Sequence, residues 1–250
     1  KTTERIGNMI RHNELVIDGV HTSSFPFKVI VENSPPIVMK SSKTQLLEHR
    51  GISGAVMETN KHRNVMELTF KIYVVKPSEE ELFQFLTLFS KEQFWLESEQ
   101  LKTVQLWCYK VLVSKVIKDK HEVYEMEATF QCHPTKFFKD TDSQSFTQNG
   151  ALRTKGSALA FPKLTIAGNT STETSFTVGS QVIRLEKIES GETLVMDNNP
   201  DKPSFRTLSG KRIKWSGDFL TIDPSKDKTV GVVLGTGIQS IRFEIVWGWA

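Results

Sequence analysis

The chain of 250 residues is 38% apolar and 24% charged, with a net charge of +3. Those proportions belong to a folded chain long enough to bury two cores, and they exclude extended disorder. Its basic residues are spread out, not gathered into a block, so neither nucleic acid nor an anionic membrane is expected as a partner. No run of about 18 apolar residues occurs, and the start lacks the apolar stretch of a signal peptide. Cys108 and Cys132 are the only cysteines, too few for a disulfide framework and not paired as CxxC.

Along the chain the apolar period is two, the period of strands. Glu14–Ile17 followed by Asp18-Gly19 signals a tight hairpin. Met66, Leu68, Phe70, Ile72 and Val74 share one face of a strand, with Glu67, Thr69, Lys71 and Tyr73 on the other. A single helix is predicted next. Ser78 is a good N-cap, Glu81 completes a capping box, and Leu82, Phe85, Leu86 and Phe89 fall on one helical face. Glu79 to Glu81 sit in the first turn, where carboxylates meet the positive end of the helix dipole, so their role is structural. Tyr124, Met126, Ala128, Phe130 and Cys132 then alternate along another strand, which makes Cys132 a reduced core thiol.

Composition changes after Phe138. Residues 139–160, rich in Thr, Ser, Asp, Gln and Gly, read as a connector. From Phe161 to Ala250 short strands recur between Gly168, Gly179, Gly191, Gly210 and Gly217, the spacing of a β-sandwich. The predicted organisation is therefore mostly β: an N-terminal domain over 1–138 with one helix, a connector over 139–160, and an all-β domain over 161–250. Ile241, Phe243, Ile245, Trp247 and Trp249 are expected on one face of a closing strand, as core or interface.

Chemistry is hard to find. The six histidines are scattered, with no HExxH; His133 adjoins Cys132, but neighbouring strand residues point to opposite faces. Asp197, Asn199 and Asp201 imitate the opening of a calcium loop, yet Pro200 and Lys202 disrupt it, leaving a polar turn. There is no GxSxG elbow. Gly231, Gly235 and Gly237 lie in a β-rich run, so close packing explains them better than a phosphate cradle. Asn169-Thr170-Ser171 matches the glycosylation triplet, which means little without a secretory signal. Asp218 and Asp223 flank the strand-like segment Phe219–Ile222 and would stand roughly 16 Å apart, beyond the 5–10 Å or so that glycoside hydrolysis uses. Trp215 is the one plausible exposed sugar platform. No catalytic, cofactor-binding or metal-binding residue is assigned, and the chain reads as a non-enzyme.

Several segments, in their order, resemble the distal tail (Dit) protein family of long-tailed phages of Gram-positive bacteria. They are Glu14-Leu15-Val16-Ile17-Asp18-Gly19, His49-Arg50-Gly51-Ile52-Ser53-Gly54 before the strand at Val65–Val75, and the short helix Glu79–Phe89. Ala128–Pro134 with Phe137-Phe138 is similar to the exit from the family's first domain, and Phe161–Gly168 to the first strand of its second. Gly191–Asp197, Phe219–Pro224 and Ile241–Trp249 complete the likeness. The resemblance implies a small N-terminal β-sandwich with one α-helix and a C-terminal galectin-like β-sandwich. It also implies a homohexameric ring at the virion tail tip, joining the tail tube protein to a tail-associated lysin or fibre protein. The ring contact is expected from an apolar face drawn from Phe25–Val31 and Ala55–Val75. The rival reading is a non-catalytic carbohydrate-binding module for a host surface glycan, which the lack of clustered exposed aromatics disfavours.

Overall fold

The computed structural model describes residues 10–32, 42–51 and 53–250. It divides into one unit ending at Lys136 and another running from Phe137 to Ala250. In the first, β1 (Leu15–Ile17) and β2 (Val20–His21) meet at Asp18-Gly19, both at positive φ (52° and 76°), the turn that matches strand twist. There follow β3 (Lys28–Glu32), β4 (Ser42–Glu48), β5 (Ala55–Arg63), β6 (Met66–Val75), α1 (Glu79–Thr87), β7 (Phe94–Ser98), β8 (Val104–Val113), β9 (Ile117–Lys118) and β10 (Val123–Phe138). Apart from β4 and β5 these strands make one sheet in the order β2-β1-β7-β8-β10-β6-β3, with β9 on β10.

Register follows from the alternation. Met66 to Val74 turn inward, and β6 pairs with β10 from Met66↔Cys132 to Val75↔Val123. On the outer face the partners are polar: Thr69 and Thr129 hydroxyls at 2.8 Å, Lys71 with Glu125 at 2.8 Å, and Gln131 donating to Glu67 at 2.9 Å. Slipping the pairing by one residue would put this apolar set in water, so the register is firmly specified.

Both arms of the α1 capping box are made, Glu81 N to Ser78 Oγ at 3.3 Å and Ser78 N to Glu81 Oε2 at 2.7 Å. The buried face of α1 centres on Phe85, met edge-on by Phe25 and Phe27 at 5.2 and 5.9 Å between centroids. Phe25, Phe27, Val29 and Val31 thus pack on their own core, the first three only partly buried. The helix needs an apolar cover, and this segment provides it.

The second unit is a β-sandwich. Its strands are β11 (Asp142–Phe146), β12 (Gly150–Arg153), β13 (Lys163–Gly168), β14 (Thr174–Val178), β15 (Gln181–Leu185), β16 (Thr193–Asp197), β17 (Ser204–Thr207), β18 (Trp215–Ser216), β19 (Thr229–Leu234), β20 (Ile238–Ile245) and β21 (Gly248–Trp249). One sheet runs β11-β20-β13-β16-β17 and the other β12-β19-β14-β15-β18. Inward side chains of both sheets, among them Leu164, Phe176, Ile183, Met196, Val232 and Phe243, form one buried cluster.

This corrects the connector over 139–160. β11 pairs with β20 and β12 with β19, so the stretch gives an edge strand to each sheet. Its polar composition reflects that edge position: Leu152 is buried in β12 and Phe146 packs on the core, while most of the rest faces water. Asp142 anchors the turn of chain, accepting from Trp247 Nε1 (3.0 Å), Gln144 Nε2 (2.7 Å) and Lys155 Nζ (2.7 Å).

The closing aromatics also separate. Trp247 is fully buried, but the alternation slips between Trp247 and Gly248, leaving Trp249 half exposed against Phe138 at 5.6 Å. The slip arises because Gly248 is drawn inward: its carbonyl accepts the amides of Ser157 and Ala158 at 2.9 and 3.0 Å. A Cβ on facing Gly156 would lie 2.1 Å from that same oxygen.

Candidate assembly surface

The residues singled out for chemistry are placed in structural roles. Asp197 Oδ1 accepts the Asn199 amide and Asn199 Oδ1 accepts the Asp201 amide, each at 3.0 Å, which makes this stretch a chain of Asx turns. Asp223 accepts the Ser225 amide and hydroxyl in a turn, and those hydrogen bonds hold its carboxyl below the usual range. Phe219–Ile222 is not a strand; it touches a sheet-like partner only at Ile222↔Ala160. Of the three glycines, a Cβ on Gly235 would meet Ser175 O at 2.1 Å and one on Gly237 would meet Asn169 O at 2.7 Å. Gly231 has nothing within 4 Å, so close approach does not account for it. Among the described residues, no three of His, Cys, Asp or Glu gather as a metal cluster.

Trp215 is not a free platform. Its ring is wedged edge-on between Phe205 and Phe219, at 5.3 and 5.2 Å, and packs on the core of the second unit. Cys132 and Cys108 are both buried and free. A hydrogen bond between the two thiols, with burial added, pushes Cys132 far above the usual thiol range.

One element stands without a core. β4 and β5 form a two-stranded ribbon of their own, joined to β6 through Asn64-Val65. Its register places Leu46 opposite Met57 and Leu47 opposite Val56. Successive side chains alternate, so each face of the ribbon carries an apolar cross-strand pair. Leu46 is 66% exposed, Met57 63% and Val56 46%. Among the described residues, none of the ribbon joins the buried cluster of its unit. Among the described residues, both strands also leave one backbone edge unpaired, the usual template for another chain. A lone two-stranded ribbon is marginal in water unless something packs on it.

The ribbon narrows the expected contact face. Of Ala55–Val75, the inward residues Met66, Leu68, Phe70, Ile72 and Val74 are consumed by the core, while Ala55–Arg63 and the exposed Val65 stand outside it. Sequence reasoning missed the partner strand Ser42–Glu48. The signal was there: Leu46-Leu47 and Val56-Met57 lie symmetrically about the Gly51–Gly54 turn region. Ile52 and the side chains of Ser42 and 59–62 lie outside the described residues.

No protein-family model matches the chain, and no curated protein sequence matches it. Among solved structures, it is similar to the Dit protein of phage SPP1, described as a paradigm of the hub adsorption apparatus of phages that infect Gram-positive bacteria. That likeness has 15% identity and a TM-score of 0.72, over 92% of this chain and 97% of that one. A chain of the phage p2 baseplate, in its activated conformation with Sr, is similar at 13% identity and a TM-score of 0.48, over 88% of this chain and 90% of that one. The fold is Dit-like over nearly its whole length, as the order of segments implies.

Proposed function

We propose that this Dit-like chain is a structural subunit of a phage tail tip, a non-enzymatic hub that assembles with itself through its first unit. The single observation that carries the reading is the β4–β5 ribbon, which bears an apolar cross-strand pair on each face and, among the described residues, is open along both edges. Such a ribbon becomes stable when neighbouring copies cover it, and a repeated head-to-tail contact closes into a ring when its rotation divides a full turn. The Dit likeness supports a homohexamer that joins the tail tube to a tail-associated lysin or fibre protein, in a virion rather than a membrane. No described helix is long and apolar enough to cross a membrane.

The packing of Trp215 between Phe205 and Phe219 counts against the glycan-binding alternative, for which it was the one candidate platform. Negative-stain images of the purified full chain test the hub reading: rings with a central hole are expected. A chain that stays monomeric at high concentration, with its ribbon amides protected from exchange, would count against it.

A further inference from the structure

Most cations at one end of the second unit have a carboxylate partner. Lys187 and Lys211 meet Glu189 at 3.0 and 3.2 Å, and Lys214 meets Glu186 at 3.3 Å. Arg206 and Arg212 are different. They are antiparallel bridge partners, Arg206 on the outermost strand β17 and Arg212 on the segment that returns beside it. The adjoining Thr207 N to Lys211 O bond, at 2.9 Å, makes them a non-hydrogen-bonded pair, the kind whose side chains stand closest, with Cα atoms about 4.5 Å apart.

Directly opposed residues project to the same face, and both arginines are exposed. Among the described residues neither guanidinium has an ion-pair or side-chain hydrogen-bond partner. Across the sheet, the residue opposite Arg206 is Val195. Two like charges directly opposite one another, with no compensating carboxylate, weaken a strand pair.

From this geometry we infer that Arg206 and Arg212 form a binding site for a tetrahedral oxyanion, a phosphate or sulfate group on a larger ligand. The oxygen count favours this class. One guanidinium fork uses both oxygens of a carboxylate, whereas a tetrahedral oxyanion offers enough oxygens for a fork from each arginine. The bound dianion also removes the repulsion that the empty pair carries. Nothing in this assignment depends on the hub reading, because it concerns the second unit alone.

The test is an NMR titration of the full chain, following the arginine Nε–Hε signals, with inorganic phosphate, sulfate and acetate at matched ionic strength. Saturable shifts at Arg206 and Arg212 are expected with phosphate or sulfate and not with acetate. The tighter of the two identifies a phosphorylated or a sulfated ligand. Arg206→Gln should abolish the response at Arg212. Arg206→Glu should also abolish it while raising Tm by roughly 1–3 °C, since an attractive pair replaces a repulsive one. Shifts that never saturate, that appear equally with acetate, or that survive Arg206→Gln would mean an adventitious ion only. A lowered Tm in Arg206→Glu would show that Arg206 has a structural partner, and would overturn the assignment.

Discussion

Replacing Leu46 with Asp and Met57 with Lys tests whether the ribbon is an assembly surface. The two side chains face each other across β4 and β5 and remain 66% and 63% exposed. Full burial of a Leu or Met side chain is worth about 1.5–3 kcal/mol, so covering what is still exposed contributes about 1–2 kcal/mol for each. Val56, less exposed, adds about 1 kcal/mol, for a total near 3–5 kcal/mol per interface. Each 1.4 kcal/mol or so is tenfold in association, so the double variant, which removes about 2–4 kcal/mol and leaves Val56 in place, should weaken self-association by roughly one and a half to three orders of magnitude. The isolated subunit should hardly notice, because exposed substitutions usually change stability by less than about 0.5 kcal/mol. Light scattering over a concentration series reads the association, and a thermal melt under dissociating conditions reads the subunit. Unchanged association in the double variant would refute the reasoning. So would a subunit melt lowered by several degrees, since that would show the ribbon packed within its own chain.

Other expectations follow from single sites. In Asp142, burial alone would raise the carboxyl pKa, but hydrogen bonds from Lys155, Trp247 and Gln144 outweigh it and leave it below the usual range. A depressed folded pKa stabilises above the unfolded value of about 3.9 and is lost as pH falls through the folded value. Asp142→Asn should therefore flatten the acid side of a Tm–pH profile below about pH 4, and Asp142→Ala should cost about 1–3 kcal/mol by stranding the Trp247 indole N–H. Gly235→Ala should destabilise by about 1–3 kcal/mol through its clash with Ser175, whereas Gly231→Ala should stay within about 0.5 kcal/mol; chemical denaturation of the pair separates them. Thiol titration should find two groups in denatured, unreduced protein and no fast-reacting thiol in native protein at pH 8 or so. Calorimetry with lactose should show no saturable heat, because Trp215 is held between two phenylalanines.

Local signals were the readable ones. The Asp18-Gly19 turn, the capping box at Ser78 and the alternation of Met66–Val74 each depend on residues close in sequence, and each stands in the fold as the pattern predicts. What sequence reasoning misplaced depends on distant partners. Residues 142–153 look like a linker because their pairing strands lie some 80–100 positions away, at Thr229–Leu234 and Ile238–Ile245. Phe25 and Phe27 looked available to a neighbour because nothing nearby in sequence announces the cover they give Phe85. Trp249 leaves the core face through a one-residue slip caused by Gly156, more than ninety residues upstream. The ribbon was half legible: Ala55–Arg63 was singled out as part of a contact face but not as a strand, and without the register no reading could tell that each face carries an apolar pair.

The strand order of the second unit also constrains how it can be made on the ribosome. β11 and β12 are translated first, yet each reaches its sheet only through β20 or β19. Until residues 229–245 have left the exit tunnel, the two early strands have no sheet to join, while β13 to β16 can already pair among themselves. Nascent chains stalled before Thr229 should therefore hold an incomplete sandwich, with Leu152 and Phe146 exposed to chaperones. The segment through Ile245 would close both sheets almost at once, making completion of the second unit a late and concerted step of synthesis.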